Sequence, residues 1–228
     1  MINENLHCYA SLKQRETLLS LLEHPDIESK FFLTGGTALS VFYLHHRVSE
    51  DLDLFTTNPL KLSELDIYIK REWGKKSSKL KDSQHFLSYL IDEIKVDFVI
   101  DHLSIKEKRV RFHFENGKSL FIDSVNNIAS NKFNTIVSRT EPKDFIDFYF
   151  ICKKYNRPTL DEIFNAAKIK DAIFDDPPTT AFQIEEGIKF LKENNIIMPE
   201  IKIDFNIDDL YDFYKKITSW LYNKVKIY

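Results

Sequence analysis

The stretch that decides the fold is FFLTGGTALSVFYLHHRVSEDLDLF, residues 31–55. Near its end two aspartates, Asp51 and Asp53, are separated by one leucine on a segment that we predict to be a short strand. Side chains two residues apart on a strand point to the same face, so the two carboxylates lie together. Neighbouring carboxylates repel each other unless a cation lies between them. Such oxygen ligands favour a hard divalent ion, Mg²⁺ first and Mn²⁺ as an alternative.

The first half of the same stretch contains the dipeptide Gly35-Gly36. The apolar residues before it predict a buried strand, residues 34–37 a turn, and residues 38–44 a helix. Glycine permits a ligand to approach the backbone closely, and the N–H groups of a helix's first turn bind anions. Thr37 could cap this helix or contact a phosphate. A tight turn and a solvated aspartate pair are the alternatives when each motif is taken alone. Their order, strand, Gly-Gly turn, helix and Asp-x-Asp strand, favours a metal next to a phosphate.

A second informative segment is IKVDFVI, residues 94–100. Its apolar residues alternate onto one face of a predicted strand, which places Lys95 and Asp97 together on the other face. In isolation this pattern is typical of an edge strand with its polar residues facing water.

The run GGTAL, then HR, then SEDLDLF resembles the first motif of the DNA polymerase β-like nucleotidyltransferases. More narrowly, it is similar to the AbiEii/AbiGii-type (MenA-like) toxin nucleotidyltransferases of bacterial toxin–antitoxin and phage-defence systems. The match is specific over about twenty-five residues and continues more loosely to about Phe150. The resemblance implies an α+β fold: a mixed sheet with flanking helices, followed by a mostly helical C-terminal region. It also implies two metal ions and a nucleoside triphosphate (NTP) as substrate.

In the family's second motif a third carboxylate arrives on a neighbouring strand, and the resemblance assigns that place to Asp97. Asp97 would join Asp51 and Asp53 as a metal ligand, or accept the proton of the attacking hydroxyl. The Gly35-Gly36 turn and Thr37 would then hold the β- and γ-phosphates. Lys95 would pair with Asp97 or steady phosphate charge.

The loop before the aspartates contains His45, His46 and Arg47. Adjacent histidines rarely ligate one ion, and no third histidine or cysteine has supporting spacing. We expect this loop near the triphosphate, with Arg47 either contacting phosphate or forming a salt bridge to a neighbouring carboxylate.

Two stretches in the second half also match the family. NIASNK, residues 127–132, resembles its third motif and implies that Lys132 contacts the nucleotide phosphates. KDFID, residues 143–147, resembles its fourth motif, usually Arg-Asp-x-x-Asp, and places Asp144 in the site. The departure is Lys143 where arginine is common, which argues against a bidentate guanidinium role there.

A structural alternative exists for these residues. Asp144 and Asp147 lie three apart and share a helix face, so they could form ion pairs with Lys132, Arg139 or Lys143. Asp144 could also serve both purposes by holding Lys132 in position.

The composition is that of a globular protein: 228 residues, 43% hydrophobic and 29% charged. Cys8 and Cys152 show neither metal-ligand spacing nor a disulfide framework, which favours the reducing cytoplasm. No apolar run approaches the length of a membrane span. A net charge of −3 does not predict a general nucleic-acid binder.

Two local groups of basic residues stand out, 70–81 (KREWGKKSSKLK) and 106–111 (KEKRVR). Each is either a solvated face or a patch for an RNA acceptor or a triphosphate. Trp73 within the first group is either a stacking surface or a core anchor.

The chain divides by pattern near Ser124. We predict a catalytic αβ domain over residues 1–124 and a helical domain over residues 125–228 that contributes to the nucleotide site. The predicted elements are helices at 7–24 and 61–73, strands at 86–89, 94–100, 110–114 and 119–122, and helices at 125–138, 142–155, 159–169, 177–193 and 206–224.

Together with these residues, the resemblance implies a Mg²⁺-dependent transfer of a nucleotidyl group from an NTP to an acceptor hydroxyl on RNA, such as tRNA, or on protein. The resemblance implies a toxin neutralised by a cognate antitoxin. Two other hypotheses use the same residues: a catalytically inactive binding protein that acts through a partner, and a metal-dependent phosphohydrolase. The sequence leaves the base of the nucleotide, the acceptor and the oligomeric state open.

Overall fold

The computed structural model describes residues 2–105, 107–194 and 196–224. The chain divides into two compact units, Met1–Ser124 and Val125–Tyr228. Lys106, in the second basic group of the sequence, lies outside the described residues.

The first unit is built on a mixed seven-stranded sheet with the order β3-β4-β5-β2-β1-β7-β6. Two neighbouring pairs, β2/β5 and β1/β7, are parallel, and the other four are antiparallel. The strands are β1 (Phe32–Thr34), β2 (Leu52–Thr56), β3 (Ser77–Asp82), β4 (Phe86–Ile91), β5 (Ile94–Ile100), β6 (Val110–His113) and β7 (Ser119–Ile122). The predicted mixed sheet is thereby confirmed.

One strand was missed from sequence. β3 forms an edge of the sheet, and the sequence SSKLKD has no buried residue that would produce an apolar alternation. Lysines on an exposed edge are typical of strands that avoid pairing with other chains. The basic residues 75–81 therefore lie partly on a strand.

The helices of the first unit differ from the prediction in two places. The predicted helix 7–24 is three segments, a 3₁₀ turn (Leu6–Cys8), α1 (Leu12–Leu21) and α2 (Pro25–Lys30). Ser11 caps α1 by accepting a hydrogen bond from the backbone N–H of Gln14, and Pro25 begins α2. α4 (Leu62–Trp73) lies where it was predicted.

The second difference concerns the helix after β1. It begins at Gly35 and not at Ala38: α3 (Gly35–Ala38) runs directly into a π-helical segment, Leu39–Leu44. Gly35 has a φ of 68°, so the turn and the helix start coincide at this residue. The segment ends at Leu44, and His45, which follows it, has left-handed backbone geometry.

The two faces of the sheet differ in character. One face, which we call the covered face, carries fully buried residues such as Leu54, Phe98 and Leu87. α4 packs on it, and the Tyr89 hydroxyl donates a hydrogen bond to Asp66 of that helix. The opposite face, which we call the carboxylate face, carries the polar side chains described below.

The second unit is helical. Its helices are α5 (Val125–Ser138), α6 (Pro142–Lys154), α7 (Leu160–Lys170), α8 (Pro177–Glu193) and α9 (Ile207–Tyr222). Aromatic side chains fill its core: Phe133 stacks on Phe148 with ring centroids 4.8 Å apart, and the Tyr214 hydroxyl donates to the Phe145 carbonyl at 2.8 Å. The predicted helical C-terminal region is confirmed. Within residues 2–105, 107–194 and 196–224, no helix has both the length and the apolar character needed to span a membrane.

Candidate active site

The pairing of β2 and β5 brings the predicted carboxylates together. These strands run parallel, and Asp53 pairs in register with Asp97. Residues paired across neighbouring strands project from the same face, so both carboxylates lie on the carboxylate face. β2 begins at Leu52, which places Asp51 one residue before the strand and not on it. Leu52 and Leu54 are fully buried on the covered face, as the alternation requires.

A lysine ammonium lies among these carboxylates. Lys95 Nζ is 2.8 Å from Asp97 Oδ2 and 4.0 Å from Asp51 Oδ2. Burial alone would lower the pKa of Lys95. The hydrogen bond to Asp97 and the charges of Asp51, Asp97 and Asp53 outweigh burial and raise this pKa above its usual value. Lys95 is therefore paired with Asp97 in the structure, which is one of the two arrangements that we expected from the sequence.

The first glycine is fitted to Asp53. A Cβ atom added to Gly35 would lie 2.8 Å from Asp53 Cγ and still closer to the carboxylate oxygen. Because Gly35 also has a positive φ, any other residue would be strained here and would displace the carboxylate.

The second glycine is fitted to a buried arginine. A Cβ atom at Gly36 would lie 2.8 Å from Ser49 Oγ and would collide with the Arg47 guanidinium. Arg47 is only 3% exposed, and its Nη1 donates to the Val48 carbonyl at 2.7 Å. Its guanidinium therefore supports the glycine turn from inside the unit.

Thr37 connects the glycine turn to the first aspartate. It is fully buried, and its hydroxyl donates to the backbone carbonyl of Asp51 and lies 3.0 Å from Ser49 Oγ. Gln14 Nε2 donates to the same carbonyl at 3.3 Å. These contacts hold the backbone of Asp51 at a fixed position relative to the start of the helix. In this structure the Thr37 hydroxyl thus contacts the protein backbone, whereas we predicted that it contacts a phosphate.

Sequence reasoning did not single out Ser88, which completes the polar row. It pairs in register with Asp97 across β4 and β5, and its hydroxyl donates to Asp97 Oδ1. This serine occupies a polar position in the predicted strand 86–89, opposite Asp97 once the two strands are paired. Gln14 was missed as well, because nothing in α1 shows that it reaches Asp51.

In the second unit, Lys132 is held by two buried carboxylates. Its Nζ is 2.7 Å from Asp144 Oδ1 and 2.6 Å from Asp147 Oδ2, and both aspartates are fully buried. Arg139 contacts the other oxygen of Asp144 at 2.8 Å. The structural ion pairs that we considered for these aspartates are thus present, and they join α5 to α6.

The carboxylates suit a divalent ion by their chemistry. Among the described residues no three His, Cys, Asp or Glu side chains are arranged as a metal-binding group. The Lys95 ammonium instead lies close to Asp97 and Asp51. The negative charge of Asp53 also acts on this ammonium and contributes to its raised pKa. Lys95 therefore compensates part of the negative charge of these carboxylates, whose oxygens are the kind of ligand that Mg²⁺ prefers.

Known structures share this architecture. JHP933 from Helicobacter pylori is 17% identical, with a TM-score of 0.53 over 98% of this chain and 95% of that one. The nucleotidyltransferase toxin MenT4 from Mycobacterium tuberculosis is 13% identical, with a TM-score of 0.55 over 86% and 77% of the two chains. The fold is that of the nucleotidyltransferases.

The model of the nucleotidyl transferase AbiEii toxin family of type IV toxin–antitoxin systems matches residues 17–193. The chain belongs to this family and is a nucleotidyltransferase. It is also 31% identical over 143 residues to an uncharacterized protein of Aquifex aeolicus, covering 63% of this chain and 67% of that one. The resemblance, fold class and enzyme class predicted from sequence are confirmed, whereas the roles of individual site residues stay predictions.

Proposed function

We propose that this protein transfers a nucleotidyl group from an NTP to an acceptor hydroxyl on a macromolecule, with Mg²⁺ as cofactor, and acts as the toxin of a toxin–antitoxin pair. The observation that carries the proposal is the register of Asp53 with Asp97 on adjacent parallel strands, with Asp51 beside them around one cation. Family membership supports nucleotidyl transfer as the chemistry.

Asp51 and Asp53 would hold the metal, and Asp97 would either join them as a ligand or accept the proton of the attacking hydroxyl. When bound, a divalent ion offsets triphosphate charge and favours ionisation of the attacking hydroxyl. The acceptor oxygen forms a bond to the α-phosphorus as the bond to the bridging oxygen breaks, and pyrophosphate leaves. The hydroxyl proton passes to a carboxylate of the site, and in the base alternative Asp97 would receive it. The hydrogen bond from the Ser88 hydroxyl to Asp97 Oδ1 supports a fixed position for this carboxylate.

Gly35 and Gly36 would offer the backbone N–H groups of the first helical turn to a phosphate group. Lys95 would turn from Asp97 toward the triphosphate when the carboxylates take up the metal. Arg47 and Thr37 act from beneath, by fixing the turn and the carbonyl of Asp51.

The proposed roles in the second unit are separate. From the sequence we predicted that Lys132 contacts the nucleotide and that Asp144 belongs to the site. The ion pairs of Lys132 with Asp144 and Asp147 support a structural role instead, in which they link α5 to α6. The helical unit's contribution to the nucleotide site stays a prediction.

The test is incubation with each α-³²P-labelled NTP, Mg²⁺ and either total tRNA or cell extract. Asp53→Asn removes the central carboxylate charge with little change in shape, and Asp82→Asn is the control, because Asp82 is an exposed aspartate on β3. We expect label on a macromolecule with wild type and Asp82→Asn, and none with Asp53→Asn. Free nucleoside monophosphate or phosphate without labelled acceptor would indicate a hydrolase instead. Cell toxicity that survives Asp53→Asn would contradict the proposal.

A further inference from the structure

The edge strand β3 contains a bulge that separates two lysines. Lys79 pairs with Tyr89 of β4, whereas Lys81 pairs with Ser88, and the register shifts between them. In a regular strand these two lysines would point to one face. The extra residue sends them to opposite faces, as bulges do when they redirect a side chain.

Lys79 lies on the covered face and is neutralised there. Its Nζ is 2.9 Å from Asp66 Oδ1 of α4 and 2.7 Å from Asp82 Oδ2. Other cations of the basic run 70–81 are also paired locally: Lys70 with Asp66, Arg71 with Glu72 and Lys76 with Asp92. Most of the charged residues in this run therefore form local ion pairs at the protein surface.

Lys81 differs from them. It is exposed and forms no ion pair within the described part of the chain. Its register places it in one row with Ser88, Asp97 and Asp53 across four neighbouring strands. Strands are spaced about 4.8 Å apart, so Lys81 lies roughly 10 Å from Asp97 along the sheet.

An aromatic side chain accompanies this lysine. Lys81 Nζ lies 5.3 Å from the centroid of the Phe86 ring, which is half-buried on β4. Phe86 is two residues from Ser88 and thus on the carboxylate face too. A lysine for the backbone phosphates next to an aromatic ring for the bases is the combination by which proteins bind single-stranded nucleic acid.

We infer that Lys81 and Phe86 form a subsite for the acceptor strand, which is single-stranded RNA. A phosphate of the RNA contacts Lys81 and a base stacks on Phe86, and this directs the terminal hydroxyl along the row toward Asp97 and Asp53. The inference rests on the proposed function, because it assumes that these carboxylates are the transfer site.

Binding is tested without turnover. In the Asp53→Asn protein, the affinity for a fluorescein-labelled single-stranded RNA oligonucleotide is measured by anisotropy at several salt concentrations. We expect Lys81→Gln to weaken binding about fivefold or more and to reduce the salt slope by about 0.7, the loss of one phosphate contact. Phe86→Leu should weaken binding by about fivefold with the slope unchanged. Lys79→Gln is the matched control, with the same charge on the same strand but the opposite face, and should change neither.

Equal effects of Lys81→Gln and Lys79→Gln would overturn the subsite, because they would show general charge attraction. Failure of the oligonucleotide to bind, together with label on a protein in the transfer assay, would identify a protein acceptor and also overturn it. In otherwise wild-type protein, Lys81→Gln should raise the KM for RNA and leave the KM for NTP unchanged. If Lys81→Gln transfers the nucleotide with an unchanged KM for RNA, the subsite is wrong but the proposed function is still supported. Absence of transfer with every nucleotide would count against the proposed function, and RNA binding would still decide the subsite.

Discussion

The ammonium group of Lys95 lies 2.8 Å from Asp97 Oδ2 and 4.0 Å from Asp51 Oδ2, on the face of the sheet where the candidate catalytic carboxylates converge. Its positive charge compensates these carboxylates from within the chain. A divalent ion that binds the same oxygens must therefore displace Lys95, and the two cations compete.

Removal of this internal cation should strengthen metal binding. We expect Lys95→Met to bind Mn²⁺ about three- to tenfold more tightly than wild type, because one competing charge in a half-exposed site is lost. Titration calorimetry or the EPR signal of free Mn²⁺ measures this without any turnover. Lys13→Met, which removes an exposed pair with Glu93, is the control and should leave the affinity unchanged. Weaker Mn²⁺ binding in Lys95→Met would show that the lysine assists the metal and does not compete with it.

The close approach of Gly35 to the Asp53 carboxylate leads to a second prediction. Gly35→Ala adds a methyl group that collides with the carboxylate and also strains a positive φ, so nucleotidyl transfer should fall at least a hundredfold. Gly117→Ala is matched for backbone strain, since its φ is 81° and no atom lies within 4 Å of the added Cβ. It should lose only about 1–2 kcal/mol of stability and keep its activity. Thermal unfolding and the transfer assay separate the two effects, and similar activities for both variants would rule out the steric explanation.

The buried pairs of Lys132 predict a large cost when the lysine is removed. Lys132→Met leaves Asp144 and Asp147 without their shared cation, and the free energy of unfolding should fall by about 3–5 kcal/mol. The double variant Lys132→Met/Asp147→Asn should recover part of this loss, because one uncompensated charge is removed with it. Urea unfolding measures both. Lys168→Met, from an exposed pair with Asp175, should cost less than about 1 kcal/mol. Wild-type stability of Lys132→Met together with a raised KM for NTP would favour the nucleotide contact instead.

Asp66 links α4 to the sheet, and its ionisation should make the stability of the first unit depend on pH. Burial alone would raise the pKa of Asp66, but hydrogen bonds from Lys70, Tyr89 and Lys79 outweigh it and lower this pKa to about 2. A carboxylate whose pKa is lowered by folding stabilises the protein above its unfolded pKa of about 3.9, and this contribution is lost as the pH falls toward 2.

We therefore expect Asp66→Asn to be less stable than wild type by about 1–2 kcal/mol at pH 6, with the difference shrinking between pH 4 and pH 2. Urea unfolding across this pH range measures it. Asp26→Asn, which removes a more exposed pair with Lys30, provides the reference. A difference that does not change with pH would show that Asp66 contributes through packing and not through its charge.

The sequence by itself determined the glycine turn, the Asp-x-Asp pair, the strand with Lys95 and Asp97, and the helices of the second unit. These features are local: glycine conformation, period-two alternation and helical spacing are all read within a few residues. The same local signals placed the start of α3 three residues too late, because Gly35 itself adopts the turn conformation at the first residue of the helix.

Only the tertiary structure decided which groups meet. The register of Asp53 with Asp97 and the hydrogen bond of Gln14 to the Asp51 carbonyl join residues that are far apart in the chain. The contact of Ser88 with Asp97 depends on the register in which β4 pairs with β5. Strand register is set by the packing of whole faces, which no short window of sequence contains. The edge strand β3 and its bulge were invisible for a related reason: an edge strand exposed to solvent has no buried side chains to impose a pattern. The direction in which Lys81 points is therefore a property of the folded sheet alone.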